Sequence, residues 1–232
     1  MDSRGLPSVT RRLYLFDIDG TLINSGGAGS SAMRGAFTAL WRLQDGFKGI
    51  EFAGRTDRAI IRDGHVAAGF DTAAFLGDLQ RFKRAYFRRL PFSLQTTVGT
   101  VLPGVVPLLR RLGEDPDATV GLGTGNFRRG AFMKLRHYGL DGYFSLGGFG
   151  DRSEDRASMI ADGIRAATRA AGRHDTVIVI GDTIHDIAAA RANNAVAIGV
   201  TTGSAGEASL SAAGADIVLP TLESAAKHLG LS

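Results

Sequence analysis

The sequence predicts an α/β fold with a doubly wound parallel sheet and an inserted helical unit. Apolar runs of strand length end near Asp17, Thr124 and Gly181, the last of them strongly β-branched, and helical patterns lie between most such runs. Strands that alternate with helices are typical of a parallel sheet covered on both faces. The segment between Thr21 and Val120 is too long for one strand-to-helix connection, which indicates an insertion. A chain of 232 residues, 44% of them hydrophobic, is long enough for both parts.

The individual elements follow from local patterns. Leu13 to Phe16 form a continuous apolar run, as expected of a strand buried on both faces. Pro103 and Gly104 precede an apolar periodic segment and indicate a helix start over residues 106–112. Another helix is expected over residues 128–138. The predicted strands cover residues 12–17, 119–123, 143–146, 176–181, 195–200 and 216–219.

The insertion predicts a division of the chain into two domains. Residues 1–23 and 100–232 would form the α/β core, and residues 24–99 a helical cap. Glycines in residues 24–31 can absorb backbone rotation at a hinge, and the return hinge is expected at residues 99–103. Ser30 or Ser31 could cap the first cap helix. Its apolar stripe, expected to form cap core, consists of Met33, Phe37, Leu40 and Trp41.

Charge and composition narrow the functional classes. The net charge is +4, and the densest basic run covers residues 81–89. Leu79, Phe82 and Tyr86 fall on one helix face within this region, so the basic residues fit a solvated face better than a nucleic-acid site. The absence of cysteine excludes disulfides and thiolate metal sites. No apolar run is long enough for a membrane span, and residues 1–12 lack the apolar segment of a secretory signal, so a cytoplasmic protein without nucleic-acid or membrane partners is expected.

Polar side chains follow three of the predicted strands. Asp17 and Asp19 end the first strand; taken alone, this pair fits a helix-capping turn equally well. Asp182 and Asp186 follow a second strand, and Thr124 follows a third. Because ligands bind beyond the carboxyl ends of parallel strands, these groups are expected to share one crevice.

The three motifs and their order resemble those of the haloacid dehalogenase superfamily. Asp-x-Asp-Gly-Thr occupies residues 17–21, Thr124 follows a strand, and Gly-Asp-x-x-x-Asp occupies residues 181–186. The resemblance covers residues 12–220 and is greatest to the phosphoglycolate phosphatase type. It implies a Rossmann-like core and a phosphatase in which Asp17 forms an aspartyl-phosphate and Asp19 acts as general acid and base. An acid at position 19 favours a phosphate ester over a carbon–halogen or carbon–phosphorus bond.

The resemblance also implies a Mg²⁺ site made of oxygen ligands. These would be the Asp17 carboxylate, the Asp19 backbone carbonyl and Asp182, with Asp186 in support. An alternative is that Asp182 only caps the following helix and that Asp186 pairs with Arg191.

A phosphate site is expected beside this metal. Thr124 and the backbone amides of Gly125 and Asn126 are candidates to hold phosphate oxygens, and Gly20 is placed with them. Residues 121–126 do not have the glycine spacing of a dinucleotide fingerprint, so a nicotinamide or flavin cofactor is not expected.

The superfamily pattern includes a cation, usually a lysine before a proline, and here the sequence departs from it. Arg156 or Arg152 must take this position, and Arg156 is favoured because it opens a helix. Either arginine could instead pair with a nearby surface acid. Lys134 lies one helix too early in the sequence and is predicted to be solvated.

Within the cap, Arg55, Thr56 and Asp57 are candidates for selecting the substrate. They interrupt two helical patterns with a polar turn that could face the crevice. Equally, Thr56 could be an N-cap with Asp57 favourably placed in the first helical turn.

Together these observations predict a Mg²⁺-dependent phosphatase acting on a small phosphorylated metabolite. A sugar phosphomutase shares the aspartyl-phosphate chemistry, and a regulatory binding module could share the fold without turnover. Phosphoglycolate, sugar phosphates and nucleotides all remain open as substrates because the selecting contacts lie in the cap. The oligomeric state is not predicted.

Overall fold

The computed structural model describes residues 10–44 and 46–229, so the parts of the predicted core domain at 1–9 and 230–232 lie outside it. The strands are β1 (Arg12–Phe16), β2 (Ile23–Asn24), β3 (Thr100–Val101), β4 (Ala118–Thr124), β5 (Gly147–Phe149), β6 (Thr176–Gly181), β7 (Val196–Val200) and β8 (Ile217–Leu219). Six of them form a parallel sheet in the order β5-β4-β1-β6-β7-β8, which confirms the predicted fold class.

Helices cover the sheet and form the insertion. They are α1 (Ala28–Trp41), α2 (Asp57–Ala67), α3 (Phe75–Thr96), α4 (Val105–Glu114), α5 (Arg128–His137), α6 (Arg156–Ala171), α7 (Ile184–Ala192), α8 (Glu207–Ala212) and α9 (Ala225–His228). Short 3₁₀ turns occur at Thr72–Ala74, Asp141–Tyr143 and Leu222–Ser224. Within the described residues, no helix combines the length and apolar character needed to cross a membrane.

The central strand β1 places the site. Its side chains alternate between two apolar clusters: Tyr14 and Phe16 pack with α4 and α5 on one face, and Leu13 and Leu15 pack with α6 and α7 on the other. β1 pairs in parallel with β4 on one side and with β6 on the other. The carboxyl ends of β1, β4 and β6 therefore meet at one edge.

The two chain segments that connect helices α1, α2 and α3 to the core lie side by side. β2 and β3 pair antiparallel, with Ile23 opposite Val101, so the two connecting segments are neighbours. The three helices, with Phe47 from the segment between α1 and α2, contain a separate, strongly aromatic cluster that includes Phe37 and Phe82. The division into a cap at 24–99 and a core at 1–23 and 100–232 stays a prediction.

The predicted apolar faces of the inserted helices are confirmed. Leu79, Phe82 and Tyr86 are buried on α3, although Pro91 also lies within that helix. The predicted serine cap of α1 is wrong. Gly27, with φ 81°, precedes the helix and no side chain caps it, while the Ser30 hydroxyl donates to the Gly27 carbonyl instead.

The strand predicted at residues 143–146 is also wrong, because β5 lies at Gly147–Phe149. Phe144 is buried in the core cluster and contacts Phe16 edge to face, 6.3 Å between ring centroids, instead of pairing with β4. The pairing position is taken by glycines because α6 packs closely there. A Cβ on Gly148 would overlap the Met159 carbonyl.

Candidate functional site

Three buried carboxylates meet where β1 and β6 end. One oxygen each of Asp17, Asp182 and Asp186 lies within 4.8 Å of the other two. Their residues are only 6%, 4% and 1% exposed. Such crowding of like charges is unfavourable without cations, so the arrangement itself indicates that positive groups belong here.

Two glycines shape the pocket around Asp182. Gly20 has φ 81°, and a Cβ there would lie 2.5 Å from the Asp182 carboxylate; a Cβ on Gly203 would overlap it. The Thr21 hydroxyl donates to Asp182 Oδ1 at 3.3 Å, and the Ser204 backbone N–H donates to Oδ2 at 3.1 Å. Asp182 is therefore fixed at the end of the sheet, and it is not the helix cap.

Asp186 is held by protein donors on both carboxylate oxygens. Thr183 caps α7, and its backbone N–H and hydroxyl both donate to Asp186 Oδ2. The Arg156 Nε and Nη2 donate to Oδ1 at 2.9 and 2.6 Å. The alternative pairing of Asp186 with Arg191 is wrong, because Arg191 pairs with Asp216.

Arg156 is the arginine that the structure brings to the carboxylates. It begins α6, is 8% exposed, and its Nη2 lies 3.1 Å from Asp17 Oδ1. Its Nη1 donates to the Gly54 carbonyl in the inserted unit at 3.1 Å. Arg152, the other candidate, is exposed.

The electrostatics of the cluster follow from burial and crowding. Burial raises the pKa of Asp17 to about 6 against the opposing charge of Arg156. Burial and the charges of Asp17 and Asp186 raise the pKa of Asp182 to about 8. Burial disfavours the Arg156 cation, but Asp186 and Asp17 outweigh it and raise the pKa of Arg156. The site thus carries more negative charge than Arg156 alone balances.

Asp19 lies in a different environment from Asp17. Its side chain is 39% exposed, and it accepts hydrogen bonds from Lys134 Nζ at 2.5 Å, Asn126 Nδ2 at 3.0 Å and the Ser25 hydroxyl at 2.9 Å. Burial opposes its ionisation, but Lys134 holds the pKa of Asp19 below its ordinary value. Two carboxylates two residues apart are therefore tuned in opposite directions.

The prediction that Lys134 is solvated is wrong. The residue is 4% exposed, and its ammonium contacts both Asp19 and the Asn126 side-chain oxygen, the latter at 2.7 Å. The signal was present in the helical spacing, because Lys134 shares the buried face of α5 with Ala131 and Leu135. A lysine on an apolar face needs a buried anionic partner.

The loop after β4 lies beside these groups. Thr124 is fully buried, and its hydroxyl oxygen accepts from the Asn126 backbone N–H at 3.3 Å and from Asn126 Nδ2 at 2.9 Å. Gly125 permits close approach of the inserted unit, since a Cβ there would overlap the Arg55 carbonyl. Thr124, Gly125 and Asn126 therefore lie next to the two aspartates that follow β1.

A cavity of about 420 Å³ opens between this edge of the sheet and the inserted helices. The sheet side of the cavity is lined by polar residues and glycines: Asp17, Asp19, Gly20, Gly125, Asn126, Arg156 and Asp182. The helical side is lined by Met33, Phe52, Ile60 and Tyr86. This volume suits a small metabolite.

The three residues proposed to select substrate have different positions. Arg55 lines the cavity, while its guanidinium pairs with Asp63 at 2.6 Å. Thr56 is buried and caps α2 by accepting from the Ala59 N–H. Asp57 lines the cavity, and burial raises its pKa to about 7 against the opposing charge of Lys134.

The donor set fits a hard divalent cation. Asp17 and Asp182 offer carboxylate oxygens, and burial together with the repulsion between neighbouring carboxylates raises the pKa of both groups, an electrostatic cost that a cation would relieve. Asp186 fits a supporting position, because Arg156 and Thr183 already occupy its oxygens. The residues present therefore suit an all-oxygen metal site.

Comparison with known proteins identifies a matching family. The family model described as haloacid dehalogenase-like hydrolase matches residues 12–194. A search of curated protein sequences gives no significant match.

Several solved structures share the fold. One, described as a predicted phosphoglycolate phosphatase from Haemophilus somnus, is 17% identical with a TM-score of 0.70, over 97% of this chain and 100% of that one. A predicted phosphatase from Clostridium acetobutylicum is 21% identical with a TM-score of 0.69, over 95% and 98%. A protein assigned as a β-phosphoglucomutase from Thermotoga maritima is 19% identical with a TM-score of 0.60, over 94% and 98%. At these identities the likeness concerns the fold.

Proposed function

Because the chain belongs to the haloacid dehalogenase-like hydrolase family, we propose that it is a Mg²⁺-dependent phosphatase acting on a small phosphate monoester. The observation that carries the proposal is the placement of Asp17. It is buried beside Arg156, and Asp19, two residues on, is held by Asn126 and Lys134. A nucleophile, a phosphate-binding cation and a separately tuned acid–base carboxylate are the parts that such a reaction needs.

In the first step, an Asp17 oxygen attacks phosphorus and the bond from phosphorus to the leaving alcohol oxygen breaks. Asp19 donates a proton to that oxygen. Arg156 and the backbone amides of Gly125 and Asn126 stabilise the charge on the nonbridging phosphoryl oxygens. The product of this step is an aspartyl-phosphate on Asp17.

In the second step, water attacks the phosphorus of the aspartyl-phosphate. Asp19 accepts a proton from that water, and the bond to the Asp17 oxygen breaks to release inorganic phosphate. The Lys134 ammonium lowers the pKa of Asp19 and so favours the ionised form, which is the form that can act as base. Lys134 thus assists the second step by keeping Asp19 ionised.

The Asp17 and Asp182 carboxylates, with the Asp19 backbone carbonyl, would hold Mg²⁺. When bound, the cation neutralises the repulsion between the Asp17 carboxylate and an approaching phosphate dianion. Asp186 would support the site by orienting Arg156, whose guanidinium it binds through two nitrogens. Arginine at this position supplies a planar fork where lysine would supply a point charge.

Residues 24–99 would act as the cap that covers the leaving group. The apolar cavity wall of Met33, Phe52 and Ile60 lies opposite the carboxylates, so closure would exclude bulk water during the reaction. Arg55 is the candidate for contact with the nonreacting part of a substrate, provided that the substrate displaces Asp63 from it.

The test is phosphate release from p-nitrophenyl phosphate and a panel of small esters, with Mg²⁺ and with EDTA, for the native chain and Asp17→Asn. The proposal expects Mg²⁺-dependent release that the variant loses. Sugar phosphate isomerisation without accumulation of inorganic phosphate would favour a phosphomutase instead. If folded protein with Mg²⁺ turns over no ester, the proposal is wrong and a noncatalytic binding module is favoured.

A further inference from the structure

Asp57 makes two hydrogen bonds from the inserted unit to the loop after β4. Its backbone N–H donates to the Gly125 carbonyl at 2.7 Å. Its carboxylate oxygen Oδ2 accepts from the Phe127 backbone N–H at 2.8 Å. These two hydrogen bonds lie on either side of Asn126, so one residue of α2 binds the backbone segment that contains the proposed phosphate-binding amides.

The packing around this loop is tight on both sides. The Arg55 carbonyl lies so close to Gly125 that a Cβ would overlap it, and a Cβ on Gly150 would overlap the Gly125 carbonyl. The Gly150 N–H also donates to the Asn126 carbonyl at 3.0 Å. The loop is therefore held between the start of α2 and the turn at Gly150. The contacts with the start of α2 would be lost if the inserted unit moved away from the core.

The loop in turn connects to the acid–base carboxylate. Asn126 Nδ2 donates both to Asp19 and to the Thr124 hydroxyl oxygen. A shift in the backbone on either side of Asn126 would move these bonds together. The hydrogen bonds from Asp57 to Gly125 and Phe127 therefore also affect the position of the Asn126 side chain, which binds Asp19.

We propose that Asp57 is a positioning residue that holds the Gly125 and Asn126 amides in their phosphate-binding orientation when the inserted unit is closed on the core. This inference rests on the proposed phosphatase function. It assigns Asp57 to phosphate binding through the loop and not to selection of the leaving group, because its Oδ2 is bound to the Phe127 N–H. A purely local role at the start of α2 would need no bond to the core.

The test compares variants by the inhibition constant of inorganic phosphate, with p-nitrophenyl phosphate as substrate. Asp57→Ala should raise this constant roughly 10-fold and lower kcat roughly 10- to 100-fold, since a misplaced anion site loses transition-state stabilisation. Asp57→Asn retains an acceptor oxygen for the Phe127 N–H and should keep the constant within about threefold of the native value. An inhibition constant does not depend on the fraction of folded enzyme, so a simple loss of stability would not move it.

Two further variants complete the design. Asp71→Ala removes a comparable bond, in which an aspartate oxygen accepts from the Ala73 N–H in the inserted unit, and should leave the constant unchanged. If Asp57→Ala does not fold, Asp57→Ser replaces it, because serine suits a helix start but is too short to bond the Phe127 N–H. An unchanged phosphate constant in the folded variant, or failure of Asp57→Asn to restore it, overturns the inference. Lack of turnover by the native chain would defeat the proposed function, and phosphate affinity by calorimetry would then still test Asp57.

Discussion

Arg156 offers a sharp test of the site because it contacts three separate parts of it. The guanidinium binds Asp186 through Nε and Nη2, lies 3.1 Å from Asp17, and donates through Nη1 to the Gly54 carbonyl. Arg156→Met removes the charge and all these donors. Arg156→Lys retains the charge but cannot reproduce the planar fork.

The expected losses differ between the two variants. Removing one preorganised donor from a transition-state oxyanion costs roughly 10²- to 10³-fold in kcat, or about 3 to 4 kcal/mol, and Arg156→Met should lose at least this much. Arg156→Lys should lose about 10-fold, since it sacrifices roughly one charge-assisted hydrogen bond. Arg156 opposes the rise in the pKa of Asp17, so its removal should also shift the acid limb of the kcat profile to higher pH.

The assay is steady-state kinetics on p-nitrophenyl phosphate from about pH 5 to 9, normalised to folded protein by circular dichroism. Normalisation is needed because breaking a buried ion network destabilises the fold by about 3 to 5 kcal/mol. Retention of more than a tenth of native kcat by folded Arg156→Met, with an unshifted acid limb, would show that Arg156 does not stabilise the transferring phosphoryl group. The matched control is Arg152→Met, which replaces an exposed arginine.

Lys134→Met should move the acid limb of the kcat profile to higher pH, because the pKa of Asp19 is no longer held down and the ionised form that acts as base in the second step is disfavoured; a pH profile superimposable on the native one would contradict this. The pKa of Asp182 is raised from 3.8 to about 8, so between these pH values its carboxyl is protonated in the folded protein but ionised in the unfolded chain. The free energy of unfolding of the metal-free protein should therefore fall as pH rises from about 4 to about 8. Mg²⁺ should therefore raise Tm more at about pH 8 than at about pH 5, and an equal shift at both would argue against a metal at this carboxylate. Gly203→Ala should weaken Mg²⁺ activation at least 10-fold, because its Cβ would overlap Asp182, whereas Gly206→Ala, with nothing within 4 Å, should behave like the native chain in the same Mg²⁺ titration.

The fold and the positions of the carboxylates could be predicted because they depend on short, regular signals. A run such as Leu13 to Phe16 is apolar at every position, which a strand buried on both faces requires. Once β1, β4 and β6 are parallel neighbours, Asp17, Thr124 and Asp182 must lie at one edge. Sequence order and strand direction were sufficient for these residues.

The contacts that depend on packing between distant segments could not be predicted in this way. Lys134 reaches Asp19 across 115 positions, and Asp57 reaches Phe127 across 70. No local pattern gives the separation between α5 and β1 or the closure of α2 on the sheet edge. The strand at Gly147–Phe149 was missed for a related reason, because its glycines are required by close packing of α6 and not by strand propensity.

The proposed mechanism requires that Asp17 becomes phosphorylated during turnover. Acid quenching followed by peptide mass spectrometry tests it most directly, with the Asp19→Asn variant included because loss of the base should slow release of the phosphoryl group and let the intermediate accumulate. Phosphorylation of Asp17 should add the mass of one phosphoryl group to the peptide that contains it, with a stronger signal in Asp19→Asn than in the native chain and none in Asp17→Asn. Turnover of the ester with no phosphorylated peptide in either the native chain or Asp19→Asn would contradict it.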